Sequence, residues 1–264
     1  MKIISSDSNP NIKNLIKLKK GRNLKLSDVF LIDGARELEI AIDSNIYIEK
    51  VYICNDFIKG NEKILNKIDK NIITYTSKSV FKKLAYKENP DGFLAIAKKN
   101  RFSVNDVNLK NEDTIIVLES IEKPGNLGAI IRTIYAAGIK TIVLANNQTD
   151  IYNPNTIRSS EGMIFKVKLI EESNLNILSW LKLNKFKIYS TSINSSNNYV
   201  NEKYKSRCAL VFGSEASGLS GFWLKNCDQK IKIQMAPEID SLNISVSVAI
   251  IVFEVLRQRG NIKT

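Results

Sequence analysis

The stretch LESIEKPGNLGAIIRTIYAAG (residues 118–138) ends an apolar run, crosses a glycine-containing turn and continues into an apolar helical pattern. The turn contains Gly125, Asn126 and Gly128, and the helical part carries one charged residue, Arg132. A buried strand followed directly by a turn and a helix is the repeating unit of a parallel α/β sheet. The stretch therefore predicts such a sheet, and it raises the question of why a full positive charge lies on an apolar helix.

Apolar runs and helical patterns alternate through the second half of the chain. The predicted strands are 114–119, 141–146, 166–170, 187–192, 208–213 and 230–235, and a long helix is predicted over 241–258. Continuous apolar strands that alternate with helices indicate a parallel sheet covered on both faces. The polar segment 194–205 is predicted to be a mobile loop.

The first part of the chain predicts a smaller α/β unit. Its predicted strands are 29–34, 51–54, 72–76 and 92–98, and its predicted helices are 9–22, 35–43, 61–70 and 77–86. The stretch 98–113 is polar and has no periodicity, which is typical of a linker. We therefore expect an α/β protein with an N-terminal domain over 1–99, a linker over 100–113 and a C-terminal domain over 114–264.

Composition excludes several classes of site. The 264 residues are 44% hydrophobic and 25% charged, as in ordinary globular proteins. No run approaches roughly 18 apolar residues and the N-terminus lacks a signal-peptide pattern, so we expect a cytoplasmic protein without a membrane partner. The three cysteines are scattered, which fits reduced thiols. Because the chain has no histidine, Ser-His-Asp triads, Cys-His dyads and histidine metal sites are excluded, and we expect no metal.

Positive charge is concentrated at the start of the chain. The net charge is +12, and residues 1–25 contain seven lysines and arginines against one acid, Asp7. Such a basic segment favours an anionic partner, above all a nucleic-acid backbone. The alternative is a solvated helix face without a partner. The candidate phosphate contacts in this segment are Lys13, Lys17, Lys19, Lys20 and Arg22.

Two further junctions between a strand and a helix resemble the first in kind. They are VFGSEASGLS (211–220) and IQMAPEIDSLN (233–243). Ligands of open α/β sheets gather at the carboxyl ends of the strands, where glycine lets them approach the backbone closely. Neither the G-x-G-x-x-G fingerprint nor the phosphate loop is present, so a standard dinucleotide or nucleoside triphosphate site is not expected. Each junction alone could be a turn or a helix cap; together they predict one ligand site.

The three junctions, in this order, resemble the three motifs of the SpoU (TrmH-like) family of RNA ribose 2′-O-methyltransferases, within the SPOUT class. The similar segments are 126–139, 211–219 and 233–250 for the three motifs, 153–165 between the first two, and 89–99 at the end of an N-terminal RNA-binding domain. The chain departs from the usual motifs at Ala216, Gln234 and Pro237. Since proline fixes φ, these changes concern the local geometry of the loops.

The resemblance implies a trefoil-knotted C-terminal domain that binds S-adenosylmethionine, a homodimer, and an N-terminal domain similar to ribosomal L30e. Carried over by motif position, the methyl donor would contact Gly213, Ile233 and Leu242. The catalytic and supporting set would be Asn126, Arg132, Glu215, Ser241 and Asn243. Besides the basic segment, the RNA-binding candidates are Arg36 and Arg158.

The reaction that the resemblance favours is transfer of a methyl group from S-adenosylmethionine to a ribose 2′-hydroxyl of RNA, with ribosomal RNA of the large subunit as the favoured substrate. The alternatives are a tRNA substrate, a drug-resistance role at a ribosomal site, and a non-catalytic RNA-binding protein of the same fold.

Three roles follow for particular residues. Arg132 is expected to stay charged and to stabilise the reacting oxygen, whereas the alternative is a structural ion pair with Glu119 or Glu122. A side chain at Gly213 is expected to intrude on the space of the methyl donor. The apolar series expected at the dimer interface consists of Ile244, Val248, Ile251 and Val255.

Overall fold

The computed structural model describes residues 3–19, 26–110, 112–204 and 207–260. They divide into two compact units. The first unit comprises residues 1–100 together with Tyr152–Phe165, and the second comprises Arg101–Ile151 together with residues 166–264. The segment 152–165 thus packs with the first unit, although the sequence places it between two strands of the second. The domain limits at 99 and 114 stay a prediction.

Each unit is built on one β-sheet. In chain order the strands are β1 (Ile3–Ile4), β2 (Val29–Asp33), β3 (Ile48–Ile53), β4 (Ile73–Thr76), β5 (Phe93–Lys98), β6 (Thr114–Glu119), β7 (Thr141–Ala145), β8 (Lys168–Glu172), β9 (Lys187–Thr191), β10 (Cys208–Phe212) and β11 (Gln229–Ile231). The helices are α1 (Pro10–Lys19), α2 (Ala35–Asp43), α3 (Lys78–Leu84), α4 (Pro124–Ala136), α5 (Pro154–Ser159), α6 (Asn174–Leu183), α7 (Gly221–Asn226) and α8 (Ile244–Gln258).

The sheet of the first unit is mixed, with the strand order β1-β4-β3-β5-β2. Strands β1, β4 and β3 are parallel, and β5 runs antiparallel to both β3 and β2. Helices α1 and α3 bury their apolar side chains with Leu31, Tyr52 and Leu94 of the sheet. Tyr152 stacks on Phe30 with ring centroids 4.4 Å apart, which ties the segment 152–165 to this unit.

The sheet of the second unit is parallel throughout, with the strand order β11-β9-β10-β6-β7-β8. Every residue of the central strands β6, β7 and β10 is buried, as expected for strands covered on both faces. The predicted parallel sheet is therefore confirmed. Since β6 and β10 are neighbours in register, with Leu118 beside Phe212, the turns that follow them leave the sheet at adjacent points.

Several predicted boundaries differ from the structure. The predicted helix 61–70 is a short 3-10 segment, Glu62–Lys67, in which Ile64 alone is buried. The last predicted strand ends at Ile231, and the final helix begins at Ile244 because the Asn243 side chain caps it by accepting from Ser245 N at 2.9 Å. The helix predicted over 9–22 begins at Pro10 and is described as far as Lys19, and residues 20–22 lie outside the described part of the chain.

Two segments predicted to be loose make regular contacts. The predicted mobile loop 194–205 is hydrogen-bonded beside β11: Tyr199 N donates to Lys232 O at 2.9 Å, and Ser195 Oγ donates to Lys230 O at 2.8 Å. In the predicted linker, Phe102 forms a parallel bridge with Ile170 and packs against the core of the second unit. Backbone pairing with an existing strand fixes both segments, whatever their polarity.

Among the described residues, no helix has the length and apolar character needed to cross a membrane.

Candidate functional site

The site is built at the carboxyl ends of β6 and β10. Glu119, the last residue of β6, is 3% exposed, and its carboxylate accepts from Ser220 N at 2.8 Å and from Ser220 Oγ at 2.7 Å. It also accepts from Asn174 Nδ2 at 2.9 Å, and Asn174 in turn accepts from Trp223 Nε1 at 3.0 Å. The end of the loop that follows β10 is therefore fastened to the end of β6. Glu119 was predicted only as a structural partner of Arg132, because a contact with a residue 101 positions away is not encoded in a local pattern.

The loop 213–220 forms a tight turn of its own. Ser214 O accepts from Gly218 N at 2.9 Å, and the hydroxyls of Ser214 and Ser217 are 2.8 Å apart. A Cβ atom on Gly213 would lie 2.1 Å from Gly218 C and 2.2 Å from Leu219 N. The expectation that a side chain at Gly213 would intrude on ligand space needs correction, because the first clash is with the backbone of the loop itself.

This loop forms one wall of a cavity of about 470 Å³. The opposite wall comes from the end of β9 and from residues 231–244. The predicted donor-binding residues Gly213, Ile233 and Leu242 all line the cavity, together with Glu215 and Ser241. Its volume falls in the range of small-molecule and cofactor pockets, and it combines aliphatic walls with hydroxyl and carboxylate groups. Such a lining suits a ligand that has an apolar ring and a charged, polar tail.

Beside the cavity, three predicted catalytic residues meet. Glu215 Oε1 accepts from Asn126 Nδ2 at 2.5 Å and from Asn243 Nδ2 at 2.8 Å. Asn243 Nδ2 also lies 3.3 Å from Asn126 Oδ1. The fourth member, Lys123, was not predicted: its Nζ is 2.8 Å from Glu215 Oε2. The hydrogen bond and charge of Lys123 lower the pKa of Glu215 below its ordinary value, and Asn126 and the backbone of Ile244 act in the same direction.

Arg132 lies on the exposed side of α4. The buried face of the helix consists of Leu127, Gly128, Ile130, Ile131 and Ile134. The charge of Arg132 is thus not among the isoleucines, because the period of the helix places residue 132 on the side opposite to the buried face. Arg132 is outside the set of described residues that line the cavity. Both oxygens of Glu119, one proposed structural partner, accept hydrogen bonds from Ser220 or Asn174.

The predicted RNA-binding residues divide into two groups. Lys13 and Lys17 lie on the exposed side of α1, whereas Lys19 donates to Ala85 O at 2.5 Å and lies 4.5 Å from the centre of the Tyr86 ring. Burial lowers the pKa of Lys19. Lys20 and Arg22 lie outside the described residues.

Both predicted arginines of the first unit contact protein groups. The guanidinium of Arg36 is 2.7 Å from the Glu161 carboxylate, and Arg158 donates to Asn155 Oδ1 at 3.1 Å. The pairing with Glu161 reduces the charge that Arg36 offers to a phosphate.

The apolar series predicted at a dimer interface is instead part of the core of the chain. Ile244, Val248, Ile251 and Val255 are each at most 4% exposed, because α8 packs this face inward and against α4. The exposed apolar side chains of α8 are Val246, at 45%, and Phe253, at 42%, with Ile250 half-buried between them. The predicted series is therefore the inward-facing stripe of α8. The outward-facing stripe follows the same helical period, so the sequence pattern alone does not distinguish the two.

Within the described part of the chain, no group of three or more cysteine, aspartate or glutamate side chains is arranged to hold a metal ion. The cysteines Cys54, Cys208 and Cys227 are free thiols.

The parallel sheet and the loop-walled cavity define a class of protein. A solved structure described as an RNA 2′-O ribose methyltransferase is 31% identical and superposes with a TM-score of 0.85 over 98% of this chain and 99% of its own. Residues 113–253 match the SpoU rRNA Methylase family, and the chain belongs to this family. It is an RNA 2′-O-ribose methyltransferase of this family.

Two further comparisons cover nearly the whole chain. The 23S rRNA (guanosine(2553)-2′-O)-methyltransferase RlmP of Bacillus subtilis is 26% identical over 254 residues, which are 96% of this chain and 98% of RlmP. The AdoMet-bound rRNA methyltransferase from Sinorhizobium meliloti, 22% identical, shares the fold with a TM-score of 0.88 over 100% of this chain and 99% of its own. Residues 9–95 match an MRM3-like substrate binding domain.

Proposed function

We propose that this enzyme methylates a ribose 2′-hydroxyl of ribosomal RNA from the large subunit, and that it does so as a cytoplasmic homodimer. The relative that acts on 23S rRNA spans 96% of this chain, including the part that matches a substrate binding domain. A separate unit with an exposed basic helix suits a large structured RNA better than a small molecule. The free thiols agree with a reducing compartment.

The observation that carries the proposal for the site is the double role of Glu215. It lines the cavity of about 470 Å³ and also accepts from the amides of Asn126 and Asn243. We infer that S-adenosylmethionine occupies this cavity against Gly213, Ile233 and Leu242, within the trefoil knot expected of the class. Ser241, at the cavity wall, has a hydroxyl that would hydrogen-bond a polar part of the donor or of the ribose.

The reaction moves one methyl group. The ribose 2′-oxygen forms a bond to the methyl carbon, the bond from that carbon to sulfur breaks, and the 2′-hydroxyl gives up its proton. The donor supplies an electrophilic methyl on a positively charged sulfur. This chain's residues must place the 2′-oxygen in line with that methyl and stabilise the negative charge that develops on the oxygen.

Two side chains supply that stabilisation in our proposal. Asn126 has two amide hydrogens and gives one to Glu215, so the other is available to orient the 2′-oxygen. Arg132 keeps its charge, since guanidinium is not deprotonated in proteins, and binds the RNA phosphate beside the reacting ribose. A protonated arginine cannot accept the proton that leaves the ribose 2′-hydroxyl. In this scheme water in the open site accepts that proton.

The homodimer is supported by the exposed strip of α8. Val246, Ile250 and Phe253 follow the i, i+4, i+7 spacing of a single helix face. Apolar helix faces of this kind are commonly covered by a second copy related by two-fold symmetry. We propose that the partner covers this strip, in place of the buried series first expected there.

The proposal is tested with labelled methyl transfer. Purified enzyme and S-adenosyl-[methyl-³H]methionine are incubated separately with ribosomal RNA and with tRNA from a strain lacking the gene. Label is expected in 23S rRNA, at one 2′-O-methyl site that primer extension locates. Label confined to tRNA would favour the tRNA alternative. Binding of the donor without transfer to either RNA would favour a non-catalytic RNA-binding protein.

A further inference from the structure

Lys123 lies at the N-terminal boundary of α4, where its Nζ is 2.8 Å from Glu215 Oε2. A cation is disfavoured at the N-terminus of a helix, because the peptide dipoles place partial positive charge there. The helix itself therefore gives no electrostatic reason for a lysine at this position. The carboxylate of Glu215 compensates the charge, so the position of Lys123 is explained by its partner and not by its helix.

The two oxygens of the Glu215 carboxylate have different partners. Oε2 faces Lys123, while Oε1 accepts from Asn126 at 2.5 Å and from Asn243 at 2.8 Å. The last torsion of a glutamate side chain is soft, so one hydrogen-bonded oxygen alone does not fix the carboxylate plane. Bonds on both oxygens do fix it.

The orientation of both asparagines depends on that carboxylate. Asn243 Oδ1 accepts from Ser245 N at 2.9 Å and from Ser245 Oγ at 2.6 Å, so its Nδ2 must face Glu215 and Asn126. Asn126 has less support: its Oδ1 accepts only the longer bond from Asn243 Nδ2, at 3.3 Å, so the 2.5 Å bond to Glu215 is the stronger determinant of where its Nδ2 points. A shift of the carboxylate therefore moves Asn126 first.

We propose that Lys123 is a positioning residue for methyl transfer: it holds the Glu215 carboxylate in its orientation, and Glu215 fixes Asn126 with one amide hydrogen free for the substrate. This inference rests on the proposed function, since it takes attack by a ribose 2′-oxygen as the reaction. Lys123 acts through Glu215 and need not contact RNA.

The pH dependence of the reaction should report this arrangement. The hydrogen bond and charge of Lys123 lower the pKa of Glu215, and Glu215 in turn raises the pKa of Lys123. A depressed carboxyl pKa means that the ionised form persists to lower pH, and its contribution is lost as pH falls through the folded-state pKa. Without Lys123 the pKa of Glu215 rises, so the acid limb of the rate profile should move to higher pH.

The deciding experiment is a double-mutant cycle on the full-length enzyme. Single-turnover rates are measured for wild type, Lys123→Gln, Glu215→Gln and the double variant, with Lys123→Arg as a conservative replacement and Lys225→Gln, on an exposed turn of α7, as the matched control. Because Lys123 is exposed to solvent, which weakens the ion pair, Lys123→Gln should lower the rate by about threefold to tenfold. Lys123→Arg should recover most of the rate, and donor affinity should stay within about twofold.

The cycle separates action through Glu215 from contact with RNA. If the inference is correct, Lys123→Gln costs nothing further once Glu215 is glutamine, and it shifts the acid limb only when Glu215 is present. Additive losses in the double variant, with a weaker salt dependence of RNA binding, would show a direct phosphate contact and overturn it. The inference would also be overturned if Lys123→Gln matched the Lys225→Gln control in both rate and pH profile. A wild-type enzyme inactive on all RNA would instead refute the proposed function.

Discussion

Glu119 and Ser220 are 101 residues apart in the chain, yet two hydrogen bonds of 2.8 and 2.7 Å join the carboxylate of one to the backbone and hydroxyl of the other. The bonds connect the end of β6 to the end of the loop that follows the neighbouring strand β10, so they hold closed the loop that forms one wall of the cavity. A hydrogen bond to a buried carboxylate is worth more than one between neutral groups. The shape of the proposed donor site therefore depends on a residue outside the cavity lining.

Replacing Glu119 by glutamine should loosen the loop 213–220. One of the Ser220 donors would face an amide NH₂ group, and the free energy of unfolding should fall by about 1–3 kcal/mol. Affinity for S-adenosylmethionine should fall with it. Chemical denaturation and calorimetry measure the two quantities. Glu88→Gln, at an exposed site in the first unit, is the control, and equal behaviour of the two variants would contradict the role of Glu119.

Gly213→Ala should disrupt the same loop from within. The added Cβ would lie 2.1 Å from the carbonyl carbon of Gly218, so the backbone must move, and both stability and donor affinity should decrease. Gly221→Ala is the matched control because its Cβ meets nothing within 4 Å. Thermal unfolding and calorimetry on both variants check this. Loss of donor affinity with an unchanged melting temperature would restore the simpler picture of a side chain in ligand space.

Arg132→Ala should lower the single-turnover rate by at least about two orders of magnitude, the scale seen when one electrostatic donor to a transition state is removed. Arg132→Lys should recover little, because a point charge does not reproduce the planar fork of guanidinium. Donor affinity should be nearly unchanged, since Arg132 does not line the cavity. Near-normal turnover of the alanine variant would assign this arginine a structural role.

Changing Lys13 and Lys17 to glutamine should weaken RNA binding and flatten its salt dependence. Each true phosphate contact contributes roughly 0.7–0.9 to the slope of log K against log salt. Donor affinity should not change. Lys19→Gln should differ in kind, because Lys19 bonds Ala85 O and should affect the stability of the first unit. An unchanged slope in the Lys13 and Lys17 variant would show that this helix face is merely solvated.

Phe253→Glu should convert the proposed dimer into a monomer. The phenyl ring is 42% exposed in the single chain, so a charged replacement can be accommodated by the monomer but not by an apolar interface. Light scattering with circular dichroism separates dissociation from unfolding. Val248→Glu is the contrasting variant: because Val248 is fully buried, it should unfold the chain. A wild-type monomer at micromolar concentration with full activity would refute the dimer.

Much of the fold could be predicted from local sequence, and the reasons are visible in single elements. Strands β6, β7 and β10 are continuous apolar runs, and they were predicted because every side chain is buried. The start of α8 was displaced because the Asn243 cap depends on its side-chain bond to Ser245. The buried face of α8 could not be predicted, since two stripes of the helix are both apolar and the sequence does not say which of them faces inward.

The candidate site shows the same division. The order of three motifs pointed to Asn126, Glu215 and Asn243, and the structure joins them through one carboxylate. Lys123 and Glu119 escaped prediction because their roles come from contacts across the sheet edge, which no local pattern encodes.

Because Tyr152–Phe165 belongs to the first unit, that unit is made of two separate segments of the chain, which restricts how the protein can be truncated or recombined. The chain leaves the second unit after Ile151 and returns at Lys166, so the substrate-binding part is not a separable N-terminal appendage. A truncation that removes residues 1–99 would strip Tyr152 of its stacking partner Phe30 and leave apolar surface behind. Exchange of substrate-binding domains between relatives, whether by recombination or in the laboratory, must therefore carry two segments of chain together.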